Sequence, residues 1–176
     1  ESGKEMKNQR MLDELTELMR IDVSSGQETE IAEHLVKKLE QMGFAITRDE
    51  AGATFGGVCG NILAVREGER DGVVCFCSHM DRVPGGIGIK PVEEDGILRS
   101  SGDTILAADD LSGVAAILEG VRQAIESGKA LPKLEILFTV GEEAGLYGAK
   151  AFDVSLLTSK TMYVLDSPGR IGRIVN

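Results

Sequence analysis

No apolar run in these 176 residues approaches the roughly 18 that a membrane-spanning helix needs. The opening residues, Glu1-Ser2-Gly3-Lys4-Glu5, lack the apolar core of a signal peptide. There is also no initiating Met, which is compatible with a trimmed leader or tag. These absences lead us to expect a cytoplasmic protein without a membrane partner. Basic residues are scarce, 19 against 29 acidic ones, for a formal charge of -10. Binding phosphate backbones requires concentrated Lys and Arg, so no nucleic-acid partner is expected. Cys59, Cys75 and Cys77 are odd in number and lack paired C-x-x-C spacing, which excludes a disulfide framework or a zinc knuckle. Cys75 and Cys77 would point to one face of a strand, where buried, reduced thiols are expected. Gly85-Gly86-Ile87-Gly88 is followed by no Lys-Ser/Thr and opens no helix, so it is read as a mobile active-site loop rather than a phosphate loop. The chain shows no repeat, low-complexity segment or linker, and its length suits one domain.

Helical spacing of Met11, Leu12, Leu15, Leu18 and Met19 predicts an amphipathic helix over about 4–20, broken at Ser24-Ser25-Gly26. A second helix is expected from about Glu28 to Met42, with Ile31, Leu35 and Leu39 inward and Gly43 at its end. His34 on this helix reads as a packing or surface histidine rather than a ligand. Strands follow at roughly 44–48, 61–65 and 73–79. A hairpin-like stretch over 87–99 has its turn at Glu94-Asp95-Gly96. A third helix over about 110–127 carries Val114, Ile117, Leu118, Val121 and Ile125 inward. Leu134–Val140 and Met162–Leu165 are short, mainly apolar runs suited to buried strands. This alternation predicts an α/β fold, a three-layer α/β/α domain with a mixed sheet.

Four acid-rich stretches fall at the carboxyl ends of these strands or in the loops after them, the edge where open α/β sheets bind ligands. In Ser78-His79-Met80-Asp81, a carboxylate beside the histidine can take the second ring N–H and raise its basicity toward a metal. The pair could equally be a capped strand-end histidine. In Ala107-Ala108-Asp109-Asp110, Asp110 suits a helix N-cap, but Asp109 has no such role. Carboxylates that converge need a cation or a shared proton. In Gly141-Glu142-Glu143-Ala144-Gly145, adjacent glutamates face different ways, so one can bind a metal while the other carries a proton. A solvated acidic loop is the alternative. In Leu165-Asp166-Ser167-Pro168, Asp166 could be simple turn chemistry. Singly these signals are weak; their common placement points to one site.

In this order, His79-x-Asp81, Ala108-Asp109-Asp110, Glu142-Glu143-x-Gly145 and Asp166 resemble the co-catalytic zinc exopeptidases. That family includes peptidase T, carboxypeptidase G, aminoacylases and succinyl-diaminopimelate desuccinylase. The stretch Phe138-Thr139-Val140-Gly141-Glu142-Glu143-Ala144-Gly145-Leu146-Tyr147-Gly148-Ala149-Lys150 is most similar to the peptidase T-like branch. The resemblance implies that His79 and Asp166 bind one zinc, Glu143 the other, and that Asp109 bridges both. It further implies that Asp81 orients His79, that Glu142 is the general base, and that the Asp109–Asp110 peptide is cis. Cobalt or manganese could replace the two zinc ions.

Two departures, Leu111 after the paired aspartates and Arg82 after His-x-Asp, read as variation beside the site. Family members also continue into a lid or dimerisation domain and bring a further metal-binding histidine, whereas this chain has only His34 and His79. Residues 1–176 are therefore expected to form part of a catalytic domain, with weak activity or none alone and homodimerisation through the lid. An exposed apolar patch is expected where that segment would dock. The expected function is a metallo-exopeptidase acting on small peptides, tripeptides foremost. The same fold would also serve an N-acyl amino acid amidohydrolase or a carboxypeptidase, and a non-catalytic scaffold is the alternative from another class.

Overall fold

The computed structural model describes residues 2–167 and 169, with side chains from residue 9 onward; Pro168 of the fourth acidic stretch lies outside this range. Helix α1 (Ser2–Arg20) leads to α2 (Thr29–Gln41) and strand β1 (Ala45–Arg48). Strands β2 (Ile62–Arg66) and β3 (Val73–His79) precede a hairpin of β4 (Pro91–Glu94) and β5 (Ile97–Ser100). Helix α3 (Ala108–Glu126), strand β6 (Lys133–Thr139), the short α4 (Tyr147–Ala151) and strand β7 (Met162–Val164) complete the order. The hairpin turns at Asp95 and Gly96, both at positive φ (54° and 73°), the conformation favoured in two-residue hairpin loops.

The main sheet has the order β1-β2-β6-β3-β7. Antiparallel pairing joins β1 to β2 and β2 to β6; β3 runs parallel to both β6 and β7. The mixed sheet expected from the sequence is thus present, and its three parallel strands end at one rim. Alternation along the strands divides the core. Ile62, Ala64, Leu134, Ile136 and Phe138 pack with α1, α2 and α3, while Leu63, Cys77 and Leu137 pack on the other face with Phe152. On α3, Val114, Ile117, Leu118 and Val121 are buried at helical spacing, each contributing about 1.5–3 kcal/mol through apolar burial.

The α4 segment was not evident from periodicity, and neither was the anchor behind it. Glu135 sits within the apolar β6 run, yet is 1% exposed. Its carboxylate accepts from Thr158 N (2.8 Å) and Ser159 N (3.0 Å), pinning the segment that covers the second face. On that face Val154 and Val164 are exposed, and Tyr163 is exposed on the opposite face of β7 beside Phe76. Cys75 and Cys77 are buried and free, and burial pushes both thiols up to about 12. These are inert packing groups, as expected.

Charge also holds the helices together. Glu14, buried on α1, accepts from Lys38 Nζ (3.1 Å) and from the Arg122 guanidinium (3.0 Å). His34 Nε2 stands 3.7 Å from it, beside the two cations that already pair with this carboxylate. Burial alone would raise the Glu14 carboxyl, but His34, Arg122 and Lys38 outweigh it and hold it at about 2 rather than 4.5. A lowered carboxyl contributes stability above its unfolded value and loses it as pH falls from 4.5 toward 2. The shift corresponds to roughly 3 kcal/mol. We therefore expect Glu14→Gln to lower the unfolding free energy in urea by about that amount at pH 7, with the gap narrowing steadily between pH 4.5 and pH 3. A pH-independent cost would contradict this account.

Candidate metal centre

The rim where β3, β6 and β7 end carries the site. His79 closes β3, paired in register with Thr139 of β6, and is 2% exposed. Its Nδ1 lies 3.0 Å from the main-chain oxygen of Asp81 and 3.4 Å from that residue's Oδ1. Donation from Nδ1 leaves Nε2 facing the carboxylates. Asp109 Oδ1 is 3.2 Å from Nε2, and Glu142 Oε2 and Asp166 Oδ2 are each 3.9 Å away.

Each carboxylate reaches this point by its own local device. Asp109 lies where α3 is kinked, with non-helical backbone angles at Asp109 and Asp110 and a cis peptide between them. Its side chain is 73% exposed and open to the rim. Asp110 does not take the N-cap role expected for it. Its carboxylate accepts instead from Ser78 Oγ at 2.5 Å, and burial lifts it to about 6. One turn on, Gly113 lets α3 approach the segment after β7 that carries Asp166. A Cβ there would collide with the Leu165 carbonyl and meet both Asp110 carboxylate oxygens at 2.6 Å. After β6 the chain turns at Gly141 (φ 59°), where a side chain would run into the Phe55 ring. This turn delivers Glu142 and Glu143 to the rim.

Asp81 does more than face His79. Fully buried, its carboxylate accepts from Ser25 Oγ (2.5 Å), Glu142 N (2.9 Å) and Glu143 N (3.1 Å). Those donors, with His79, hold its carboxyl below the usual range although burial pushes the other way. Ser25 carried no sequence signal beyond its place in a helix-breaking turn. Arg82, read as variation beside the site, is 1% exposed. Its guanidinium donates to the carbonyls of Leu18, Met19 and Gly86 (3.0–3.3 Å). The glycine loop expected to be mobile is thus tied down at Gly86, and again through Gly88 N to Asp22 (2.7 Å).

The electrostatics of the rim favour a cation. Burial raises the carboxyls of Glu142, Glu143 and Asp166, and their mutual repulsion with Asp109 adds to it. Burial of His79 favours its neutral ring, but Asp81, Asp166 and Asp109 outweigh this and lift it to about 9. Bound cations would relieve this crowding. The donor set fits: the potential ligand atoms of His79, Asp109 and Asp166 lie within 4.8 Å of one another, as do those of His79, Glu142 and Glu143. Tetrahedral zinc at about 2.0–2.2 Å from N and O donors separates them by roughly 3.3–3.6 Å, close to the spacings around Nε2.

The sheet and its rim place the chain among the metallopeptidases. The chain belongs to peptidase family M28, whose sequence profile matches residues 61–172. It is 39% identical over 167 residues to the uncharacterized protein YqjE of Bacillus subtilis, covering 94% of this chain and 45% of that protein. It is similar in structure to the aminopeptidase PepT of Bacillus cereus (TM-score 0.90, 40% identity, 93% of this chain and 44% of that one). A tripeptidase of Staphylococcus aureus superposes with a TM-score of 0.86 at 34% identity, over 92% of this chain and 44% of that one. The chain spans less than half the length of each. No helix among the described residues is long and apolar enough to cross a membrane.

Proposed function

We propose that this chain carries the metal-holding rim of an exopeptidase that removes N-terminal residues from small peptides, tripeptides foremost. The observation that carries this reading is the convergence of Asp109, Glu142 and Asp166 within 3.9 Å of one imidazole nitrogen. In the proposed arrangement His79 and Asp166 would hold one zinc and Glu143 the other, with Asp109 a donor available to either. When bound, the ions polarise the scissile carbonyl and lower the pKa of a water. Glu142 accepts the proton of the attacking water and returns it to the leaving amine nitrogen. Asp81 holds the backbone of both glutamates and faces His79 Nδ1.

The second cation has only Asp109 and Glu143 as protein donors in this scheme, so it would bind more weakly than the first. That imbalance, and the length of the relatives, support the further reading that residues 1–176 are one part of a catalytic domain. The names of the two structural relatives favour peptides with a free amino end. A hydrolysis panel tests this: an unblocked tripeptide, its N-acetylated form and an N-acyl amino acid, each with zinc and with a chelator. It should be run on this chain and on any longer polypeptide that carries it. Chelator-sensitive cleavage of the unblocked tripeptide is expected. Preference for the N-acyl amino acid would move the assignment to an amidohydrolase, and no cleavage by either polypeptide would overturn it.

A further inference from the structure

Beneath the rim lies a buried carboxylate outside the proposed metal centre. Glu28, at the start of α2, is fully buried. Its Oε1 accepts from Gly26 N (2.8 Å) and from Gly141 N (3.1 Å), 113 residues away in sequence. Its Oε2 has no hydrogen-bond partner. Glu142 N and Glu143 N, the next two amides, donate to Asp81, which in turn accepts from Ser25 Oγ. Three successive amides, those of Gly141, Glu142 and Glu143, therefore end on two carboxylates that are wholly removed from solvent. Both carboxylates are tied to one short segment, Ser25–Glu28, between α1 and α2.

From this arrangement we infer that Glu28 is a positioning residue, fixing through the Gly141 amide the turn that presents Glu142 and Glu143 to the rim. Gly141 is the hinge of that turn, since its φ is 59° and the Phe55 ring packs where a side chain would stand. A single acceptor for its N–H, supplied from another layer of the fold, sets the direction in which the next two residues leave β6. Asp81 alone could hold the two later amides while the hinge rotated beneath them. Glu28 removes that freedom. A buried ionisable side chain spent on a backbone amide is costly unless hydrogen-bonded, which suits a role in fixing geometry rather than filling space. The effect on metal binding rests on the assignment of Glu143 as a ligand; the effect on the backbone does not.

Two substitutions of nearly equal size separate the roles. Glu28→Gln keeps an oxygen at the Oε1 position and can still accept from both amides, whereas Glu28→Met fills the same space without an acceptor. Amide hydrogen exchange followed by NMR should show protection at Gly141, Glu142 and Glu143 falling at least about tenfold in Glu28→Met. Glu28→Gln should stay within a few-fold of wild type. Zinc affinity by calorimetry should fall about 10–100-fold in Glu28→Met, the range for residues that orient metal ligands, and recover in Glu28→Gln. Glu28→Asp, which keeps the charge but withdraws the oxygen by one methylene, supplies the exchange measurement if the Met variant does not fold, with the same direction of change expected. Unchanged protection at all three amides in a folded Met or Asp variant overturns the inference, as does equal loss in Gln and Met. Absence of zinc binding by the wild type, with the exchange pattern as expected, would count against the metal centre and leave the positioning role standing.

Discussion

In a longer polypeptide that carries this chain and cleaves the unblocked tripeptide, Glu142→Gln should leave the zinc bound and reduce hydrolysis by about 10²–10⁴-fold, the usual contribution of a positioned general base. Gln has the shape of Glu and its amide oxygen can accept a hydrogen bond from water, but it cannot take up a proton and return it. The side chain sits at the rim, 29% exposed and with Oε2 3.9 Å from His79 Nε2, close to the ligand candidates yet open to substrate. Its backbone is fixed by Asp81, so the substitution should not displace Glu143. The competing role is a ligand, because Glu142 also belongs to a donor group with His79 and Glu143. Metal content measured beside kcat separates the two. A base loses turnover with metal stoichiometry unchanged, and a ligand loses both. Retained turnover would sink the assignment of Glu142 as base.

The residues of the rim were legible in the sequence because each stands where a strand ends. His79, Glu142 and Asp166 follow recognisable apolar runs, and parallel pairing of β3 with β6 and β7 is enough to bring them to one edge. Asp109 was legible for a different reason: a carboxylate just ahead of a helix, with Asp110 beside it as the supposed cap. Asp110, expected to cap that helix, accepts from Ser78 instead. What the sequence did not disclose were the supports. Ser25 and Glu28 lie in a turn more than 50 residues from Asp81 and more than 110 from Gly141, and no local pattern encodes such contacts. Arg82 read only as variation beside the site, because a charged side chain is rarely fully buried and nothing local signals the burial. Here the carbonyls of Leu18 and Met19, in the last turn of α1, and of Gly86 supply the acceptors that make burial tolerable. Glu135 was hidden by the apolar strand around it, and α4 by its length of five residues, too short for a helical period to show.

Asp109→Asn should weaken zinc binding by more than the roughly 10–100-fold that loss of a merely supporting residue costs. Asp109 Oδ1 stands 3.2 Å from His79 Nε2, and its exposed side chain opens onto the rim where the proposed ions would sit. Its amide counterpart keeps the size but removes a negative charge and one anionic donor, so both ions should be affected. Binding should also depend on pH in a direction fixed by His79. In the metal-free protein the ring is lifted from 6.5 to about 9, so at pH 7 it carries a proton that zinc must displace. Its contribution to metal-free stability is complete below pH 6.5 and is lost as pH rises through about 9; zinc, which needs the neutral ring, gains over the same interval. Apparent affinity should therefore rise about tenfold per pH unit between pH 7 and pH 9. Calorimetry at pH 7 in two buffers of different ionisation enthalpy should report about one proton released for the ion bound at His79. An affinity flat with pH, or an Asp109→Asn variant that binds zinc as the wild type does, would show that the cation, if any, sits elsewhere than on this imidazole.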